Sequence, residues 1–223
     1  MLRTIRRVLV GAAALAVAAT GLVATAPEAQ AACTIKASHP SKIAITGYYK
    51  EVTVKLYDPC ERVDWAAWDL IGPEGEAAGL LFDEGETTTY LDVYDWNYPV
   101  GSYKVRPYAA YDRDYNSIPQ AEGALKIKLG TGAKVTSFRN GSWVGFDVLA
   151  RYYSPSWGRY RGWDTAAKLQ KQYKGTWYTV KTFDLNSSGK ARVSLKRKDK
   201  APYRVVVAET SKQWSATSAT TWR

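Results

Sequence analysis

The stretch NSSGKARVSLK, residues 186–196, decides how the rest of the chain is read. Asn186-Ser187-Ser188-Gly189 is a turn signal, because Asn and Gly tolerate backbone angles that other residues avoid. The next residues alternate. Ala191, Val193 and Leu195 fall on one side, and Arg192, Ser194 and Lys196 on the other. A period of two is that of a strand with one face in a core and one in water. The same habit recurs throughout. Val52, Val54 and Leu56 alternate with Glu51, Thr53 and Lys55, and Leu125, Ile127 and Leu129 alternate with Lys126 and Lys128. Tyr103 and Val105, Phe146, Val148 and Ala150, and Tyr203, Val205 and Val207 follow suit. A helical period is almost absent. The expectation is an all-β chain of two tandem Ig-like antiparallel β-sandwich domains, with about seven strands in each.

The first residues fall outside that pattern. Arg3, Arg6 and Arg7 precede an apolar, Ala-rich run from Val8 to Ala19, and Ala29-Gln30-Ala31 has the small-x-small form of a cleavage site. Residues 1–31 are read as a cleaved signal peptide, which implies a secreted, extracellular protein held at or near the cell wall and not inserted in the membrane. Residues 32–130 are assigned to an acidic N-terminal sandwich and residues 131–223 to a basic C-terminal one. Leu129-Gly130-Thr131-Gly132-Ala133 is the boundary. There are two cysteines, Cys33 and Cys60. In an exported chain such a pair is most simply a disulfide, and closing that loop stabilises by about 3–4 kcal/mol on chain-entropy grounds.

The formal net charge is +10, and its distribution says more than its size. Residues 32–130 carry 10 Lys and Arg against 15 Asp and Glu, whereas residues 131–223 carry 18 against 5. A basic half of that strength points to an anionic partner, to attraction between the halves, or to charge kept for solubility.

The C-terminal stretch KLQKQYKGTWYTVKTFDLNSSGKARVSLKRKDKAPYRVVVAETSKQWSATSATTWR, residues 168–223, resembles the C-terminal Ig-like module of secreted actinobacterial proteins such as those of streptomycetes. The residues that carry the likeness are Leu169, Gln170, Trp177, Val180, Ser187, Gly189, Tyr203 and Arg204. The half bounded by the cysteines is similar to the N-terminal module of the same proteins. The resemblance implies an exported tandem Ig-like chain and assigns no activity.

Catalytic parts are scarce. The one histidine, His39, sits in Ser38-His39-Pro40-Ser41, and no G-x-S-x-G elbow accompanies it. One His and two Cys do not make a zinc site, and no phosphate-binding G-x-x-x-x-G-K-[ST] is present. No cofactor and no resident metal are expected. Asp112, Asp114 and Asn116 open like a calcium loop, but Ser117 stands where the turn needs Gly and Gly123 where it needs Glu. Asp83, Glu84, Glu86, Asp92, Asp95, Asp112 and Asp114 supply carboxylates that a glycoside hydrolase would need only in a pair; surface solubility is the plainer reason for them.

One stretch is unlike the others: YYSPSWGRYRGW, residues 152–163. It is read as an end loop joining two strands. Trp157, Arg159, Tyr160, Arg161 and Trp163 form the candidate binding set, since flat rings stack on sugars and guanidinium forks hold phosphate or carboxylate. The competing reading is that Tyr152 and Trp163 anchor the loop, and Tyr153 extends the outer face of the strand. Lys196-Arg197-Lys198-Asp199-Lys200 is a second basic cluster, read as a solvated turn. The function expected is non-enzymatic: a secreted binding or adhesion protein whose basic domain grips an anionic cell-wall or extracellular polymer, or a protein partner. The alternatives are a carboxylate-dependent glycoside hydrolase, and an inhibitor or adaptor of a secreted assembly that pairs through an edge strand within residues 215–223. Nucleic acid is disfavoured, because the acidic half repels phosphate.

Overall fold

In the computed structural model the described residues are 33–223; the signal-peptide reading of residues 1–31 lies outside them. The turn signals cut the first half into β1 (Lys36–Ser38), β2 (Lys42–Ile45), β3 (Tyr49–Tyr57), β4 (Trp65–Gly72), β5 (Gly75–Phe82), β6 (Thr88–Tyr94), β7 (Gly101–Tyr111) and β8 (Gly123–Leu129). They form a three-stranded sheet, β1-β3-β6, and a five-stranded sheet, β2-β8-β7-β4-β5. Alternation places Val52, Val54, Leu91 and Val93 inward from the smaller sheet, against Trp68, Leu70, Tyr103 and Ile127 from the larger. The Trp68 indole N–H, deep in this core, donates to the Ala121 carbonyl at 3.1 Å, so its one polar atom is satisfied.

The second half makes β9 (Thr131–Asn140), β10 (Trp143–Ser154), a single 3₁₀ turn (Pro155–Trp157), β11 (Arg159–Gly162), β12 (Ala166–Tyr173), β13 (Thr176–Asp184), β14 (Lys190–Lys196), β15 (Pro202–Val207), β16 (Ala216–Thr217) and β17 (Thr221–Trp222). One sheet has β10 at its centre, with β9 on one side and β14 and β11 on the other. The facing sheet runs β13-β12-β15-β16, with β17 also on β15. Phe146, Val148 and Ala150 meet Leu169, Tyr203 and Val205 in the second core, where the Phe146 and Tyr203 rings lie 4.9 Å apart. The fold is the expected pair of Ig-like sandwiches, with eight and nine strands where about seven each were expected.

Three local expectations are corrected. β2 pairs with β8 in parallel, so the sheets are not antiparallel throughout. Lys128, assigned by alternation to water, is buried; a contact from the second sandwich covers it. Residues 215–223 form two short strands at the end of their sheet. β16 and β17 both pair with β15, and Ser137 on β9 holds the Thr221 hydroxyl and, through its carbonyl, the Arg223 guanidinium. The aromatic stretch is no loop: β10 continues to Ser154, and β11 turns back along it.

Cys33 and Cys60 form the expected disulfide, across 27 positions of sequence. It ties the segment before β1 to the turn after β3. In that turn the Asp58 carboxylate accepts from the N–H groups of Cys60, Arg62 and Val63. Among the described residues no helix is long and apolar enough to cross a membrane.

Candidate functional site

The geometry of the site starts at Pro155 and Gly158. Proline pre-sets the first angle of the 3₁₀ turn, and Gly158 closes it in the left-handed region at φ +57°. The chain therefore reverses within four residues, and β11 pairs with the end of β10 in the register Tyr153 with Tyr160 and Arg151 with Gly162.

Gly162 is required where β11 meets the Asn186–Gly189 turn. A Cβ there would lie 2.2 Å from the Ser188 carbonyl carbon. The turn itself is set by the Asn186 side chain, which accepts from the N–H groups of Ser188 and Lys190 at 3.0 Å each. Gly189, at φ +73°, lets the turn rest on the Ala150 carbonyl. Close packing of turn on hairpin is what brings Lys190 beside Arg151, Arg159 and Arg161.

These four cations line one open groove of about 490 Å³, with Tyr160 and the Ser187 and Ser188 turn completing its wall. Two further depressions adjoin it over the outer face of the sheet, sharing Lys134, Leu149, Arg151, Tyr160 and Lys190. The outward-facing acid of that sheet, Asp147, is held bidentately by Arg192 at 2.5 and 3.0 Å. The Arg192 guanidinium keeps its carboxyl below the usual carboxylate range. Asp147 is thus spent on Arg192. Among the described residues none of Arg151, Arg159, Arg161 and Lys190 makes an ion pair.

The five residues singled out in the sequence divide. Arg159, Tyr160 and Arg161 stand in the groove wall. Trp157 is 59% exposed, but Arg159 and Arg161 lie over its ring at 5.5 and 4.2 Å, so it serves as a shelf that holds the two guanidiniums. Trp163, at 4% exposure, belongs to the second core and offers no surface to a ligand. Tyr153, expected on the outer face, is 3% exposed and packs into the first core. Arg151 and Lys190 were missed. Arg151 stands on β10 and Lys190 opens β14, and only the register between these strands makes them neighbours.

The remaining candidates serve structure. Asp112 accepts from the N–H groups of Asp114 and Asn116, from the Asn116 amide and from Arg62. Its oxygens are taken up by its own loop and by the Arg62 guanidinium. His39 lies beside Gly123, and its Nδ1 is 3.2 Å from the Pro40 carbonyl. Asp95 accepts the Tyr153 hydroxyl at 2.8 Å. Burial, then this hydrogen bond, pushes that phenol up to about 12.

No protein-family model matches the sequence, and no curated protein matches it. Solved structures show similarities of arrangement. The BSP domain of a biofilm-associated protein is 11% identical, with 83% of this chain and 29% of that one covered and a TM-score of 0.29. The native conformation of E. coli alpha-2-macroglobulin is 12% identical, with 87% and 14% covered and a TM-score of 0.43. A two-domain fibronectin type-III segment of chicken tenascin is 12% identical, with 83% and 98% covered and a TM-score of 0.37. The chain spans less than a third of the length of the first two. At these values the likeness carries no functional argument.

Proposed function

We propose that this is a secreted, non-enzymatic binding protein whose second sandwich holds a polyanionic cell-wall polymer. One observation carries the reading: Arg151, Arg159, Arg161 and Lys190 converge on a single groove, and among the described residues none of them makes an ion pair. Like charges gathered this way repel. A fold spends stability on such a cluster where an anion offsets the repulsion. Guanidinium forks suit phosphate and carboxylate, and the Ser187 and Ser188 turn adds polar groups to the groove wall. The Cys33–Cys60 disulfide supports an exported setting, because such bonds persist outside the reducing cytosol.

The test is co-sedimentation of the chain with purified bacterial cell walls across a salt series. Binding is expected to weaken steeply as salt rises, since exposed charges are screened within about 10 Å at 0.1 M. An Arg159→Ala, Arg161→Ala variant is expected to lose most of the pelleting at low salt while melting at the wild-type temperature. Pelleting that ignores salt, or that survives in the variant, rejects the groove as the binding site.

A further inference from the structure

The outer face of the three-stranded sheet carries a second set of rings, far from neutral in its chemistry. β3 turns Tyr49, Glu51 and Thr53 outward, and β6 turns Tyr94, Asp92 and Tyr90 outward opposite them. Tyr94 is the centre of a platform. The Tyr48 ring lies 5.7 Å from it, edge on, the Tyr49 ring 5.0 Å and the Trp96 ring 5.7 Å. Tyr48 and Trp96 are 64% and 70% exposed. The sheet does not need these rings for its core, because Val52, Val54, Leu91 and Val93 fill the opposite face. The segments that bear them are nevertheless tied in place. The Asp95 N–H donates to the Tyr48 carbonyl at 3.0 Å, and the Tyr94 N–H donates to the Asn97 side chain at 2.9 Å. Rings in mutual contact make an apolar surface already in order before a ligand arrives, which lowers the entropy cost of binding.

The next rung of the ladder is electrostatically unfavourable. Glu51 and Asp92 stand directly opposite each other, and like charges in that position destabilise a sheet. The Tyr49 hydroxyl donates to Asp92 at 2.8 Å and reaches Glu51 only at 3.5 Å. Neither carboxylate makes an ion pair among the described residues. A protonated amine placed between them would relieve the repulsion, and its sugar ring would then lie along the platform.

We infer that this face binds a glycan built of amino sugars with free amines: a pyranose ring packs on Tyr94 and Trp96, bordered by the upright Tyr48 ring, while its ammonium sits between Glu51 and Asp92. The apolar C–H face of a sugar matches the rings, and the ammonium gains from both carboxylates and ring faces. The same two carboxylates repel the polyanion proposed for the basic groove. The two sites therefore take ligands of opposite charge, and either reading can fail without the other.

The experiment is calorimetric titration of the chain with a short glucosamine oligomer and with its N-acetylated counterpart, at mildly acidic pH where amines are protonated and carboxylates ionised. Acetylation removes the charge and keeps the rings. The glucosamine oligomer is expected to bind at least about tenfold more tightly, the difference that a charge-assisted contact of about 1.4 kcal/mol makes. Glu51→Gln with Asp92→Asn should erase that preference, and Trp96→Ala should weaken both oligomers. Arg159→Ala with Arg161→Ala should change neither, which separates this site from the groove. All of these positions except the half-buried Arg161 are exposed, and an unchanged melting temperature shows that the variants fold. Equal affinity for the two oligomers overturns the inference, as does failure of both to bind or a preference that survives in the Glu51, Asp92 variant.

Discussion

Trp157 and Trp163 belong to one aromatic stretch, and burial gives their loss different costs. Trp163 fills the second core beside Ala150, to whose carbonyl its backbone N–H donates at 3.1 Å. Truncating it to Ala is expected to cost about 3–5 kcal/mol, the range for a large buried ring removed without collapse of the cavity. Trp157→Ala is expected to stay within about 0.5 kcal/mol of wild type, as for other surface positions. It should still weaken wall binding, because Arg159 and Arg161 lose the ring they lie on. Urea unfolding of the two variants checks the contrast; similar midpoints would contradict the burial of Trp163. The sequence names both tryptophans but cannot sort them. Alternation along a strand tells in from out, and Gly158 resets that count in the middle of the stretch. Tyr153 shows the same limit. Its parity places it on the outer face with Arg151, and the first sandwich then covers it.

At the scale of elements, long alternating runs such as those of β3 and β14 were legible because each carries its own period of two. The β10–β11 hairpin was not, because Pro155 and Gly158 punctuate it and β11 spans only Arg159–Gly162. The loop between β7 and β8 is ambiguous in the sequence for a related reason. Asp112-x-Asp114-x-Asn116 is the spacing of a cation loop and equally that of a turn in which an Asp accepts from the N–H groups two and four residues on. The structure chooses the second, and that choice has a pH signature. The backbone N–H of Asn116, then its side chain and Arg62, hold the Asp112 carboxyl below its ordinary value. A group depressed in the folded state adds stability that is complete above its unfolded pKa, about 3.9 for Asp. That stability is lost as pH falls through the folded value. The urea midpoint should therefore fall as pH drops below about 4. Asp112→Asn should lower the midpoint at neutral pH and flatten this acid slope. A wild-type slope unchanged by the substitution would show that Asp112 is not the group responsible.

For the whole molecule, the divided charge was legible and the junction was not. Nothing in the alternation of Lys126 and Lys128 shows that one stays in water while the other is buried. Lys128 gives its ammonium to Glu209 at 2.6 Å and to the Thr210 carbonyl, and lies 5.3 Å from the Trp214 ring. The Trp214 indole N–H donates to the Ile43 carbonyl at 3.0 Å, and the Leu129 N–H to the Lys212 carbonyl at 2.9 Å. On the other flank Tyr153 reaches from β10 into the first core and donates to Asp95. Only Gly130 separates β8 from β9, so little slack remains between the two cores. Contacts of this kind, buried and shared by both sandwiches, should couple their unfolding. Calorimetry of the chain is expected to give one transition whose calorimetric and van't Hoff enthalpies agree, the mark of a single cooperative unit. Tyr153→Ala removes a buried ring and its hydrogen bond at the junction, costing about 3 kcal/mol or more, and adding Trp214→Ala removes the other flank. The double variant is expected to melt in two separate steps, each sandwich on its own core. Two steps already present in the wild-type chain would mean that the junction contacts are too weak to bind the sandwiches into one unit, and that a ligand bound to one face is held independently of the other.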